Sequence, residues 1–327
     1  MTTPGEVIQL ELAADLLAAG FFWPEHPGST VKNATPSALA SYAALIGAMI
    51  LWSSAFIATK AAYAVFHPLT LMAGRMVVGA AFMLVFFPRL RGSRYERGDW
   101  RWLLLLGLSE PCLYFVFEAY AIRYTTASQA GMVTAMLPLM VAVGAALTLK
   151  ERLSPRMVLG FLVAIAGVAW LTAAGTPEEN APNPVLGNLL EVCAMACATG
   201  YMIIARHLAV RYTAWFLTAV QVFAGTLFFL PMQLLPGVDL PEHFDFWSVA
   251  AVVYLGLGAT LLACGFYSFS VRRLPASVAS GYVNLIPVFT VLMGWLILGE
   301  AFTPAQMAAS ILVFAGVFLS RERKRDN

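Results

Sequence analysis

GLSEPCLYFVFEAYAIRYTTAS, residues 107–128, and GLGATLLACGFYSFSVRRLPAS, residues 256–277, align without a gap at a shift of 149. The correspondence runs on to Leu171. It pairs Pro138 with Pro287, Glu151 with Glu300, Pro155 with Pro304, and Ala166-Gly167-Val168 with Ala315-Gly316-Val317. Upstream, a shift of 146 pairs Lys60 with Arg206, Arg75 with Gln221 and Gly79 with Gly225. The chain is an internal duplication.

Composition decides what was duplicated. The 327 residues are 60% hydrophobic and 12% charged, against about 25% charged in soluble domains, and the mean hydropathy is +0.76. So few charges cannot cover a soluble surface, and an all-α integral membrane protein is expected. A spanning helix takes about 20 apolar residues. Windows of that kind fall at about 39–64, 68–88, 100–123, 126–149, 154–173, 184–206, 213–235, 246–271, 275–299 and 303–320. These are segments one to ten, five in each copy. Ser154-Pro155 and Thr303-Pro304 read as an N-cap followed by proline in the first helical turn. An odd number of spans inserts the second copy upside down, with the pseudo-two-fold axis in the membrane plane. That arrangement is a transporter signature, with substrate held near the midplane of a central cavity.

The expected organisation is an N-terminal extension (1–38), a first repeat (39–173), a polar linker AGTPEENAPN (174–183), a second repeat (184–320) and a basic tail (321–327). In the extension, VIQLELAADLLAAGFFW fits an interfacial amphipathic helix or a disordered segment equally well. Lys and Arg concentrate on one side of the membrane. Arg89, Arg91, Arg94, Arg97 and Arg101 follow segment two, and Lys150, Arg152 and Arg156 follow segment four. Arg206 and Arg211 follow segment six, Arg272 and Arg273 segment eight. The opposite side carries Lys60 and Arg123. This bias predicts cytoplasmic termini.

Cys112, Cys193, Cys197 and Cys264 all fall in apolar runs, and the four histidines, His26, His67, His207 and His243, are scattered outside the spans. Neither pattern makes a disulfide framework or a metal cluster, and no cofactor is expected. No GxxxxGK[ST] segment supports direct ATP drive.

Ionisable residues inside a span are functional-site hypotheses by default. Glu110 falls near the midplane, and Glu118 lies about 12 Å nearer the outside, where an outer-vestibule role is expected. Glu191 belongs to the outer half of segment six. The alternative for Glu110 is a buried, bonded carboxyl with no part in transport; for Glu118 it is a side chain reaching toward external water, and Glu191 falls between the two. Glu110, Tyr114 and Glu118 follow i, i+4, i+8 and form one stripe. Pro111 cannot donate to the Gly107 carbonyl and predicts a kink with a free acceptor there. A carboxylate beside a phenol and a free carbonyl suits an ammonium group, or proton exchange if burial keeps the acid neutral. Glu110, Glu191 and Glu118 are therefore candidates for proton or ion coupling. Pro138 and Pro287, at equivalent mid-helix positions, are hinge candidates with Pro111, or static kinks. Trp52, Ser53, Met136, Tyr254, Tyr282 and Asn284 are candidate substrate-lining residues with Glu110 and Tyr114. Arg75 is read as structural, paired with a neighbouring helix. Glu110 aligns with Ala259 and Glu118 with Tyr267, so the carboxylates break the symmetry of the duplication.

Two copies of P-x(12)-E-x(3)-P, small-residue pairs in segments five and ten, and ILWSSAF in segment one together resemble the ten-helix EamA-type branch of the drug/metabolite transporter superfamily. Glu110-x-Cys112-Leu113, and Gly131-Met132-Val133 with Pro138, are similar to the bacterial aromatic amino-acid exporters; Lys150 stands where the family usually has glycine. The resemblance implies a basket in which segments one, three, four, six, eight and nine surround the cavity and two, five, seven and ten are peripheral. It implies an exporter of amino acids, aromatic or hydrophobic ones included, working by alternating access in the cell inner membrane. The expected partners are a small-molecule substrate and the lipid bilayer, with no nucleic acid, and two fused repeats suit a functional monomer. Export of drug-like or nucleotide-related metabolites is the competing reading. An intramembrane enzyme or a channel would need a nucleophile–base pair, a metal site or a polar filter that the spans do not show.

Overall fold

The structure is a computed structural model that describes residues 38–86, 95–149, 154–241, 243–271, 273–274 and 281–320. The extension, the tail, the connection holding Lys150 and Glu151, and the expected start of segment nine lie outside these residues.

The described residues form helices joined by short connections, one of which holds an isolated bridge between Glu178 and Ala181. We label the spans α1 (Leu39–Ala62), α2 (Pro68–Val85), α3 (Asp99–Tyr124), α4 (Ala127–Thr148), α5 (Pro155–Ala173), α6 (Pro184–Leu208), α7 (Ala214–Leu234), α8 (Phe246–Val271), α9 (Gly281–Leu298) and α10 (Pro304–Leu319). Among the described residues, the first nine are long and apolar enough to cross a bilayer, and α10 is a shorter apolar helix of 16 residues. Side-chain caps fix where several begin. Ser154 Oγ accepts from Met157 N, Asn183 Oδ1 from Leu186 N, and Thr213 Oγ1 from Phe216 N. Thr303 and Gln306 form a reciprocal capping box at α10. The expected end of the sixth span needs correcting. Helix α6 runs on to Leu208 and takes in His207, whose ring lies 4.9 Å from that of Trp102.

Packing repeats across the two halves. Helix α3 packs on α6 as α8 does on α1; α4 packs on α6 as α9 does on α1; and α3 meets α7 as α8 meets α2. Three further pairs, α2 with α7, α4 with α9 and α5 with α10, join equivalent helices across the axis. Individual atoms obey the same symmetry. Gly79 abuts Val222 while Gly225 abuts Met76; Gly107 abuts Ala224 while Gly256 abuts Val78. At the α5–α10 crossing, Gly167 faces Val313 and Gly316 faces Ala164, and a Cβ on Gly316 would stand 2.5 Å from the Ala164 nitrogen. Small residues let these backbones touch, as helix association in lipid requires.

Among the described residues, interruptions of α3, α4, α8 and α9 fall in equivalent pairs. In α3 the backbone opens at Glu110 (φ −144, ψ 121), and α8 widens into π turns over Tyr254–Leu262. In α4 a 3-10 turn occupies Thr134–Met136, just before Pro138, and α9 breaks at Asn284, three residues before Pro287. A proline supplies no N–H to the turn before it; in α4 the Thr134 carbonyl is taken up by Leu137 N instead.

Candidate functional site

The break in α3 organises the interior. The Glu110–Pro111 peptide is cis, and the carbonyl that receives a bond there belongs to Glu110, from Gln221 Nε2 at 3.3 Å. The expected free acceptor at Gly107 is thus replaced by one three residues on. The extended torsions of Glu110 also take it out of the helical register that would have aligned it with Tyr114 and Glu118. Its half-buried carboxyl lies near Cys197 and Tyr201 of α6 and Cys264 of α8.

Glu118 is 7% exposed, which corrects the expected outer-vestibule placement. Its partners are inside the bundle. Tyr114 Oη donates to Glu118 Oε1 at 2.5 Å, and Arg75 Nη1 lies 3.9 Å from Oε2. Arg75 belongs to α2, but its long side chain reaches across to α3. Its guanidinium carbon sits 4.1 Å from the centre of the Phe115 ring, and its Nε donates to Thr260 Oγ1 at 2.8 Å. Thr260 is the repeat counterpart of Pro111 and itself donates to the Leu255 carbonyl at 2.9 Å, inside the wide turn of α8. The symmetry is close. Gln221 reaches the break of α3 as Arg75, its counterpart, reaches the distorted turn of α8.

Glu191, on α6, is fully buried, and neither of its carboxyl oxygens has a hydrogen-bond partner. One turn earlier, Asn188 Nδ2 donates to Gln129 Oε1 (3.1 Å) and Thr172 Oγ1 (3.3 Å), while its Oδ1 is unpaired.

The remaining candidates sit around α1, α8 and α9. Trp52 packs against Tyr267 at 5.3 Å between ring centres. Ser53 is fully buried and donates to the carbonyls of Met49 (2.7 Å) and Ile286 (3.0 Å), so it ties α1 to α9. Its neighbour Ser54 shares a 2.5 Å hydrogen bond with Tyr254. Tyr282 lies 6.0 Å from Tyr42, and Asn284 Nδ2 donates to the Gly281 carbonyl at 3.3 Å. Met136 is packed in an apolar cluster with Val133, Val168 and Met195. The structure therefore makes two groups: Glu110, Tyr114, Glu118 and Glu191 between α3 and α6, and Trp52, Ser53, Tyr254, Tyr282 and Asn284 around α1. Sequence reasoning missed Thr260 and Gln221 and set Arg75 aside. The signal available was that Arg75 and Gln221 occupy one repeat position and are both polar.

At the end of the bundle bearing the 174–183 linker, two charged side chains tie separate helices together. Lys60 Nζ donates to the carbonyls of Ile122 (2.7 Å) and Thr125 (2.6 Å), and to that of Asn180. Glu300 accepts from the N–H groups of Ala127 and Ser128, each at 2.8 Å, and so caps α4.

Two inverted halves, helices broken in equivalent pairs and a charged interior define a membrane transporter rather than an enzyme. The chain belongs to the EamA-like transporter family, which matches residues 39–173 and 185–321. It is 25% identical over 277 residues to an uncharacterized transporter of Archaeoglobus fulgidus, covering 84% of this chain and 95% of that one. It is 27% identical over 284 residues to a probable terminal-alkyne amino-acid exporter of Streptantibioticus cattleyicolor, covering 86% of this chain and 93% of the relative. A solved crystal structure of a protein 24% identical in sequence shares the fold, with a TM-score of 0.61 over 88% of this chain and 98% of the other.

Proposed function

We propose that the protein exports amino acids, aromatic or hydrophobic ones included, by alternating access of its two repeats. The Arg75–Glu118 pair carries this reading. At 3.9 Å the two groups are too far apart for a hydrogen bond, so each keeps capacity for a second partner. A zwitterion has one group for each: its carboxylate for the guanidinium fork, its ammonium for Glu118, with Glu110 and Tyr114 alongside. Phe115 and Trp52 offer ring surfaces for an apolar side chain, and Tyr254, Tyr282 and Asn284, with the buried Ser53 and Met136, are the further candidate contacts. Pro111, Pro138 and Pro287 flank the breaks about which the helices reorient. The name of the Streptantibioticus relative supports the same substrate class. A phosphate ester would call for several deep cations, and among the described residues Arg75 alone lies deep in a span. The membrane is the cell inner membrane, the termini are cytoplasmic and the working unit is the monomer.

Export of drug-like apolar molecules has one observation in its favour. A cavity of about 310 Å³ between α2, α7 and α8 is lined by Phe66, Thr70, Gly74, Gln233, Leu240 and Phe244 among others. Counterflow of labelled phenylalanine, leucine and alanine into liposomes holding the pure protein separates the two readings. Saturable exchange is expected for at least one amino acid; flux of apolar cations with none of amino acids would overturn the proposal.

A further inference from the structure

We propose that Glu191 is the proton site that drives export: it holds a proton at rest and gives it up while substrate is bound. The inference rests on the amino-acid reading above. Its basis is a mismatch in the interior. Arg75 and Glu118 balance one another, and Tyr114 satisfies Glu118 further. Glu191 has no such partner: it is fully buried, and both its oxygens lack donors. One turn away Asn188 Oδ1 is also unpaired, its amide N–H groups being spent on Gln129 and Thr172, so unpaired acceptors lie one turn apart on α6.

No cation is at hand from the helices packed on it. Helix α3 brings Glu110, Tyr114 and Glu118 in its middle, with Arg101 and Arg123 near its two ends; α4 has no titratable residue in its span; α5 has Arg156, at its first turn on the basic-loop side. On α6 itself the titratable groups are Cys193, Cys197, Tyr201 and, at the far end, Arg206 and His207. A bare carboxylate in these surroundings is strongly disfavoured, whereas the neutral acid is not. A metal cation in its place would want about six oxygen ligands, more than this face supplies.

Substrate changes the balance. An ammonium group docked at Glu118 brings three N–H donors to the α3–α6 interface. The O–H bond of Glu191 then breaks, its proton leaves to water on the side to which the site is open, and the carboxylate accepts from the ammonium. When substrate departs on the other side, a proton from that side restores the acid. Each cycle moves one substrate against one proton.

The test uses the full-length protein in liposomes loaded with a pH-sensitive dye. Amino acid entering the vesicles should make the lumen more alkaline, and an imposed proton gradient should increase uptake. In Glu191→Gln, a shape-matched copy of the neutral acid, both effects should be lost. Separately, the infrared carboxylic-acid stretch of the wild type at neutral pH should vanish in Glu191→Gln and shift in Glu191→Asp. Wild-type net uptake that ignores the proton gradient and leaves the lumen pH unchanged, or that a sodium gradient drives instead, would overturn the proton site; saturable counterflow in the same vesicles would leave the amino-acid reading standing. With no counterflow of any amino acid, the substrate reading fails and the infrared band alone decides: its presence supports the protonated site, its absence ends it.

Discussion

Arg75 shows how much one side chain can change the reading of its neighbours. Counted along its helix, Glu118 belongs near water; with a guanidinium laid across from α2 and a phenol one turn below, it belongs inside. Position along a helix axis can be counted from sequence, but it does not say which long side chain arrives from the next helix. Glu110 was legible as a candidate, but its backbone geometry was hidden for a different reason. Pro111 announced a kink, yet nothing in the residue pattern says that the backbone opens at Glu110 or that Gln221 fills the gap. Breaking a buried pair strands the remaining charge, which typically costs about 3–5 kcal/mol. Arg75→Met should therefore lower stability by about 3 kcal/mol, discounted for the long 3.9 Å separation. Adding Glu118→Gln should restore most of the loss, because neighbours of this kind are not additive. Thermal unfolding of the four proteins in one detergent measures the coupling; additive losses would show that the two groups do not interact.

Among the elements, α8 carries a group whose pH response is fixed by local bonding. Asp245 caps its first turn, accepting from the Ser248 hydroxyl (2.7 Å) and the Ser248 N–H (2.8 Å). Those two donors, side chain first, hold its pKa below the ordinary 3.8. A depressed acid contributes stability above its unfolded-state value, and the contribution is lost as pH falls through the lower folded value. Asn caps a helix about as well as Asp but does not titrate. The melting temperature of wild type minus that of Asp245→Asn should thus be constant near neutral pH and decline only in acid below the usual aspartate range. A decline beginning near pH 6 would implicate a different group. At this scale the sequence was informative. The caps at Ser154 and Thr303, the breaks beside Pro138 and Pro287, and the close α5–α10 crossing over Gly160 and Gly167 follow from residue types with strong local rules. The run-on of α6 through His207 did not, since helix ends respond to the packing around them.

For the whole molecule, the duplication carried the fold. A constant shift in residue number predicts which helices are equivalent, and the packing of glycines on their counterparts' neighbours follows it. Because the interface between halves is this extensive, the covalent linker should be dispensable. Residues 1–177 and 178–327 expressed as separate chains should copurify and keep transport, and failure to associate would show that the linker holds the halves together. Each crossing on the axis has the form of a contact between two copies of one chain, as in a two-fold dimer. A half-length ancestor would have met an inverted copy of itself there, through the same surface on both. In such a dimer any carboxyl placed like Glu118 would occur twice in one small interior, and like charges in a dry site repel strongly. Fusion removes that constraint. Once the halves could diverge, one could keep Tyr267 where the other holds Glu118, and Leu45 where the other holds Glu191. On this view the single chain gained a lopsided interior, able to grip two unlike ends of one small molecule, which no pair of identical subunits could provide.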